Sequence, residues 1–129
     1  EQLYWLAAQG RTEEIHAWLE QFYAHHVALL RRGVVNRDVD PDNYGVVGDR
    51  LLLLDYGELM DDPAAIRRMA ADTRPFAHLS DVLAQTIRPE AAEAFAQRVR
   101  ALFQPESVRA YWPTPGLVPT TCSWSGAKT

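Results

Sequence analysis

The sequence predicts an α+β chain, mainly helical, with one small β-hairpin, and three observations predict it. Ile15, Trp18, Leu19, Phe22, His26, Leu29 and Leu30 recur at three- and four-residue intervals and draw an apolar stripe down one long helix. Residues 44–47 and 50–54 are short apolar-rich runs separated by Gly48-Asp49, a two-residue hairpin signal. Beyond Pro63 the helical spacing returns in further segments. With 129 residues, 47% of them apolar, the chain can bury a real core as one domain or as one lobe of something larger.

Taken in order, a short helix over 3–8 precedes the long one. Thr12 is placed to cap the long helix, with Glu13 and Glu14 suiting the positive end of its first turn. Arg31 and Arg32 close its last turn, and Gly33 stands where a left-handed residue is expected. Val34 and Val35 form a brief apolar pair before the acidic loop NRDVDPDN over 36–43. A turn centred on 48 and 49 pairs residues whose numbers sum to 97, so Val47 faces Arg50 and Asn43 faces Leu54. Asp55 comes one step later, which sets Asn43 and Asp55 side by side at the open end of the hairpin. Asp62-Pro63 then reads as an N-cap with proline at the first helical position, leading through Ile66 and Met69. Phe76, Leu79, Val82 and Leu83 give a second apolar face, and Phe95, Val99, Leu102 and Phe103 give a third after Pro89. One more turn follows Pro105 through Val108 and Tyr111, and 113–129, rich in Pro, Thr and Ser, reads as an extended arm.

Lys and Arg total 13 and Asp and Glu 17, a net charge of 13 − 17 = −4, so no basic face for duplex nucleic acid is expected. The longest unbroken apolar run covers 51–54, against the roughly 20 residues that span a bilayer, so no membrane partner is expected either. Cys122 is the single cysteine, which excludes an internal disulfide framework and fits a reducing, cytoplasmic setting. It lies in the arm without a neighbouring His, a poor setting for a nucleophile. The chain starts at Glu1 and shows no secretory leader, as a processed or excised piece would.

Asp38, Asp40, Asp42 and Asn43 crowd into six residues, and the hairpin returns Asp55 to the same place. Hard oxygen ligands gathered at one point suit Mg²⁺ or Ca²⁺. Asp and Asn also simply make turns. Against that plain reading, Asp55 follows four leucines, and a carboxylate ending a buried strand is costly unless paired or metal-bound.

These residues resemble the catalytic and metal loops of the protein kinase-like superfamily, whose signature HRDxxxxN is followed about a dozen residues later by DFG. Asn36-Arg37-Asp38 with Asn43, then Asp55-Tyr56-Gly57, is similar to that signature, and 55 − 43 = 12 suits the hairpin. The resemblance is strong over 13–60 and implies a kinase-like C-lobe over 1–112. It implies ATP and Mg²⁺ as cofactors and a hydroxyl-bearing small molecule or protein as acceptor. Asp38 would orient or deprotonate the attacking hydroxyl, Arg37 would pair with an acidic or phosphorylated segment, and Asn43 and Asp55 would hold Mg²⁺ on the nucleotide phosphates.

The departures are equally specific. Asn36 replaces the usual His, and Asp40 stands where Ser/Thr protein kinases commonly carry a Lys, which argues against protein phosphorylation. No APE motif follows, and neither a GxGxxG loop nor a VAIK lysine precedes, so the expected N-lobe lies upstream or on a partner chain. Two other classes stay open. One is a pseudokinase-like interaction domain working through Tyr111, Trp112 and Trp124, although these aromatics also suit packing on the chain's own core. The other is a Ca²⁺ loop with Asp38, Asp40, Asp42 and Asp49 at positions 1, 3, 5 and 12 of an EF-hand pattern that lacks its Gly and its following helix. His26 reads as a satisfied core histidine, His78 and Asp81 as a surface pair, and Glu58 to Asp62 as helix-capping surface.

Overall fold

The computed structural model describes residues 2–55 and 57–113. Tyr56, the arm beyond Pro113 and Cys122 lie outside the described residues. The chain is mainly helical, with two small antiparallel sheets. Helix α1 covers Gln2–Ala8 and α2 covers Thr12–Arg31, the longest element. Strand β1 (Val35–Asn36) leads through a 3₁₀ turn at Pro41–Asn43 into β2 (Tyr44–Val47), β3 (Arg50–Leu53) and β4 (Leu59–Met60). Helices α3 (Pro63–Ala71), α4 (Arg74–Leu83), α5 (Pro89–Ala101) and α6 (Pro105–Tyr111) complete the fold. No described helix is long and apolar enough to cross a membrane.

Helix α2 is the axis of the core because its apolar stripe is continuous. Ile15, Trp18, Leu19, Phe22, His26 and Leu30 are all buried along it. Phe22 has no exposed surface; it stacks on Trp18 at 5.4 Å, meets Tyr44 of β2 edge-on at 4.9 Å and tilts against Phe95 of α5 at 6.1 Å. One ring thus joins α2, the hairpin and α5, and such aromatic pairs add about 0.5–1.5 kcal/mol beyond the area they bury. Tyr111 and Trp112 pack home as well: Trp112 is buried and Arg31 lies over the Tyr111 ring at 5.3 Å.

The hairpin register is the one the turn dictates: Tyr44 pairs Leu53, Gly45 pairs Leu52, Val46 pairs Leu51 and Val47 pairs Arg50. Gly48, at φ +64°, supplies the turn conformation that side-chained residues avoid. A glutamine seats the hairpin on α2, since Gln21 donates from Nε2 to the Asp49 carbonyl at 2.7 Å and accepts from the Leu51 N–H at 2.8 Å.

Three local expectations need correction. Thr12 is the first helical residue and caps nothing; Arg11 is the N-cap, and its side chain instead pairs with Glu14. The hairpin is not the only sheet, because Val35 pairs Met60 and Asn36 pairs Leu59. Two-residue strands joined across more than 20 residues carry no periodicity to read. Nor is β3 a buried strand: Leu53 faces the core, but Leu52 is 42% and Leu54 63% exposed.

Candidate functional site

Gly33 sets up the site. At φ +75° it reverses the chain after α2 and delivers Val35 and Asn36, each 1% exposed, into β1. From Asn36 onward every second side chain catches an amide two residues ahead. Asn36 Oδ1 accepts from the Asp38 N–H at 3.0 Å, Asp38 Oδ1 from the Asp40 N–H at 2.9 Å, and Asp40 Oδ1 from the Asp42 N–H at 3.0 Å. This ladder of Asx turns is the physical reason for Asn and Asp at alternate positions of the loop. It consumes one oxygen of each residue and leaves the other groups to act between elements. Asn36 Nδ2 donates to the Tyr44 hydroxyl at 3.2 Å, and the Asn43 amide nitrogen donates to Asp38 Oδ2.

The structure therefore brings Asp38 and Asn43 into direct contact. The Leu54 N–H donates to the Asn43 carbonyl at 2.8 Å, which extends the hairpin pairing to the expected Asn43 and Leu54. Asp55 follows at the open end, exposed, and its charge acts on Asp38. Asp55 Oδ1 accepts from the Gly57 N–H at 2.8 Å, and a Cβ on Gly57 would sit 3.1 Å from that oxygen, so the close turn favours glycine there. Arg37 is engaged by Glu58 twice, through its N–H to the Glu58 carbonyl at 3.0 Å and its guanidinium to Oε1 at 2.7 Å. It tethers the loop to the entrance of β4.

Burial pushes the Asp38 carboxyl above its ordinary range. The hydrogen bond from the Asp40 N–H opposes the shift, while the charges of Asp40, Glu58 and Asp55 add to it. Burial also raises the Tyr44 phenol, consistent with a neutral hydroxyl accepting from Asn36. On the core side of the loop, burial lowers the His25 imidazole and takes His26 down to about 3. His26 is thus a core histidine, as read, but its Nε2 finds no hydrogen-bond partner.

Asn43 and Asp55 each keep an oxygen of the kind that magnesium takes. The Asn43 amide nitrogen is given to Asp38 and Asp55 Oδ1 to the Gly57 N–H, so neither bond uses the Asn43 side-chain oxygen or Asp55 Oδ2. Mg²⁺ is usually held by one or two such ligands together with substrate phosphates and water. Among the described residues no group of three or more His, Cys, Asp or Glu side chains is arranged to hold a metal unaided. The EF-hand arrangement fares worse: Asp49 lies in the turn at the far end of β2 from Asp42, about 13 Å of strand away, and β3 rather than a helix follows it.

Beside Asp38 an open groove runs between the loop and the start of α4, lined by Arg37, Asp38, Asp40, Glu58, Arg74 and His78 among others. His78 Nε2 stands 3.3 Å from Asp40 Oδ2, so this histidine faces the loop rather than pairing with Asp81. Glu58, read as capping surface, is the partner of Arg37. Neither contact has a sequence signal, because each joins elements 21 or more residues apart. Compared with protein-family models, curated proteins and solved structures, the chain gives no match in any of the three.

Proposed function

We propose that the chain is the C-lobe of a kinase-like phosphotransferase, moving a phosphoryl group from ATP·Mg²⁺ to a hydroxyl when an N-lobe completes it. One observation carries the reading: the side chains of Asp38 and Asn43, five residues apart, meet, and Asp55 bears on the same carboxylate from the end of the hairpin. Asp38 orients the acceptor hydroxyl and takes its proton as the hydroxyl oxygen bonds to the γ-phosphorus and the bond to the bridging β–γ oxygen breaks. ADP leaves with that oxygen. Asn43 steadies Asp38 through its amide and turns its carbonyl oxygen toward the nucleotide side. Asn43 and Asp55 would hold Mg²⁺, which neutralises phosphate charge when bound. Because little covalent chemistry is asked of the protein, positioned charges of this kind are a sensible minimum.

The outer face of the hairpin supports the need for a second lobe. Val47, Leu52 and Leu54 share the face that carries Asn43 and stand 67%, 42% and 63% exposed. Large apolar side chains grouped on one face mark a surface that something covers. The same face supports a second reading, a noncatalytic pseudokinase-like domain that binds a partner there.

Calorimetric titration of ATP and Mg²⁺ into the chain and into Asp55→Ala decides between them. Metal-dependent nucleotide binding that the variant loses supports the phosphotransferase site. Absence of binding in both shifts the weight to interaction.

A further inference from the structure

We propose that His25 is an acid-sensitive latch on the loop of the candidate site: on gaining a proton its ring leaves Tyr44, and the Asn36 contact that holds the Asp38 turn is released. The latch is independent of the reaction proposed above, because it needs only the packing of α2 against Tyr44 and the bonds that run from Tyr44 into the loop.

Three contacts run from helix to loop. His25, half-buried on α2, meets the Tyr44 ring edge to face at 5.3 Å and 85°. The Tyr44 hydroxyl accepts from Asn36 Nδ2 at 3.2 Å, and Asn36 Oδ1 accepts from the Asp38 N–H at 3.0 Å, the first rung of the Asx ladder. Phe22 at 4.9 Å and Trp18 at 6.3 Å are the other rings against Tyr44, and neither offers its hydroxyl a polar hold. The position of that hydroxyl, and with it the Asn36 amide, therefore depends on the ring cluster staying closed.

The His25 site suits a neutral imidazole. Its Nε2 is buried and finds no hydrogen-bond partner among the described residues, so a charge gained in place is not compensated there. His26, the next residue, lies 5.9 Å away against Phe22 and Phe103, its own Nε2 equally without a partner. Of the other titratable groups at this cluster, Tyr44 stays a neutral phenol, and the Asp38 charge bears on Tyr44 from the loop. Burial holds the His25 imidazole below its ordinary 6.5, so the folded chain binds the proton less readily than the unfolded one; the latch is closed above pH 6.5 and is lost as pH falls. Half-buried, His25 reaches water by a change of rotamer, whereas His26, 2% exposed, gains its proton only by opening the core.

NMR of the full chain against pH tests the latch, with the His25 imidazole giving the titration, the Asn36 side-chain amide reporting the bond to Tyr44, and far-UV circular dichroism following the fold. The Asn36 resonances are expected to move toward those of a free amide with the His25 midpoint, below pH 6.5 and before helicity falls. His25→Phe keeps a ring against Tyr44 without a titrating nitrogen, and His25→Gln supplies a polar chain that stays neutral; both should hold the Asn36 resonances still until the helices melt. His78→Gln removes the imidazole that faces the loop at Asp40, 3.3 Å away, and should leave the midpoint unchanged. Asn36 resonances that stay put while His25 titrates, that move alike in the His25 variants, or that follow His78 instead would overturn the proposal.

Discussion

Asn36 holds the loop of the candidate site in place, and replacing it with alanine should be costly. Its side chain is the only described side chain hydrogen-bonded both to the Asp38 N–H, at 3.0 Å, and to the Tyr44 hydroxyl, at 3.2 Å. Asn36→Ala removes both bonds and strands their partners. Tyr44 is 5% exposed, so its hydroxyl bears nearly the full cost of a buried group without a partner, about 1–3 kcal/mol. The Asp38 N–H lies in a half-buried loop where water can partly replace the bond, which puts its share near the low end. Together the loss is roughly 2–4 kcal/mol, a large fraction of the ~5–15 kcal/mol that holds a domain folded. Thermal unfolding followed by circular dichroism should show a fall in Tm of about 8–16 °C for a chain of this size. Tyr44→Phe breaks only one of the two bonds and should cost about 1 kcal/mol, and the double variant should reveal a coupling of ~0.5–1.5 kcal/mol. A loss below about 0.5 kcal/mol for Asn36→Ala, or additive single variants, would refute the reasoning.

Three further outcomes follow from the same geometry. His26 has an imidazole pKa of 6.5 when exposed and about 3 in the fold, so the unfolded chain binds the extra proton; stability is full above pH 6.5 and drains as pH falls toward 3, by roughly 4–5 kcal/mol at most. Urea midpoints between pH 7 and pH 4 should show this slope, and His26→Phe, placed between Phe22 and Phe103, should flatten it. Asp62→Ala removes the oxygen that accepts from the Ala64 N–H at 2.9 Å and should cost about 1 kcal/mol in equilibrium unfolding. Leu54→Ser, at a position 63% exposed, should leave stability within about 0.5 kcal/mol yet weaken ATP·Mg²⁺ binding in calorimetry if the outer hairpin face receives the nucleotide or its lobe.

Much of this protein was legible in its local sequence. The stripe from Ile15 to Leu30 defines α2 because burial on one helical face needs only the 3.6-residue period. Gly48-Asp49 sets the hairpin register, and that register in turn places Asn43 opposite Leu54, because a two-residue turn allows a single pairing. Gly33 and Asp62 mark helix ends through conformation and capping, both local effects. Thr12 failed as a cap where Arg11 took the position, since the N–H of Arg11 already bonds back to Leu6 of α1 and fixes where α2 begins.

What tertiary structure alone decided is which charges meet. The pairing of Arg37 with Glu58 and of Asp40 with His78, and the clamp of Gln21 on Asp49 and Leu51, span 21 to 38 residues and depend on how α2, α4 and the strands pack. The side of β3 that faces the core was likewise undecided by a run of four leucines, since every position in the run is apolar and alternation is invisible. Packing against α2 chose Leu53 for the interior and left Leu52 and Leu54 outside, beside Asn43. Local pattern determines elements because their hydrogen bonds close within a few residues; the charge and the exposed face of the site are set by contacts between elements.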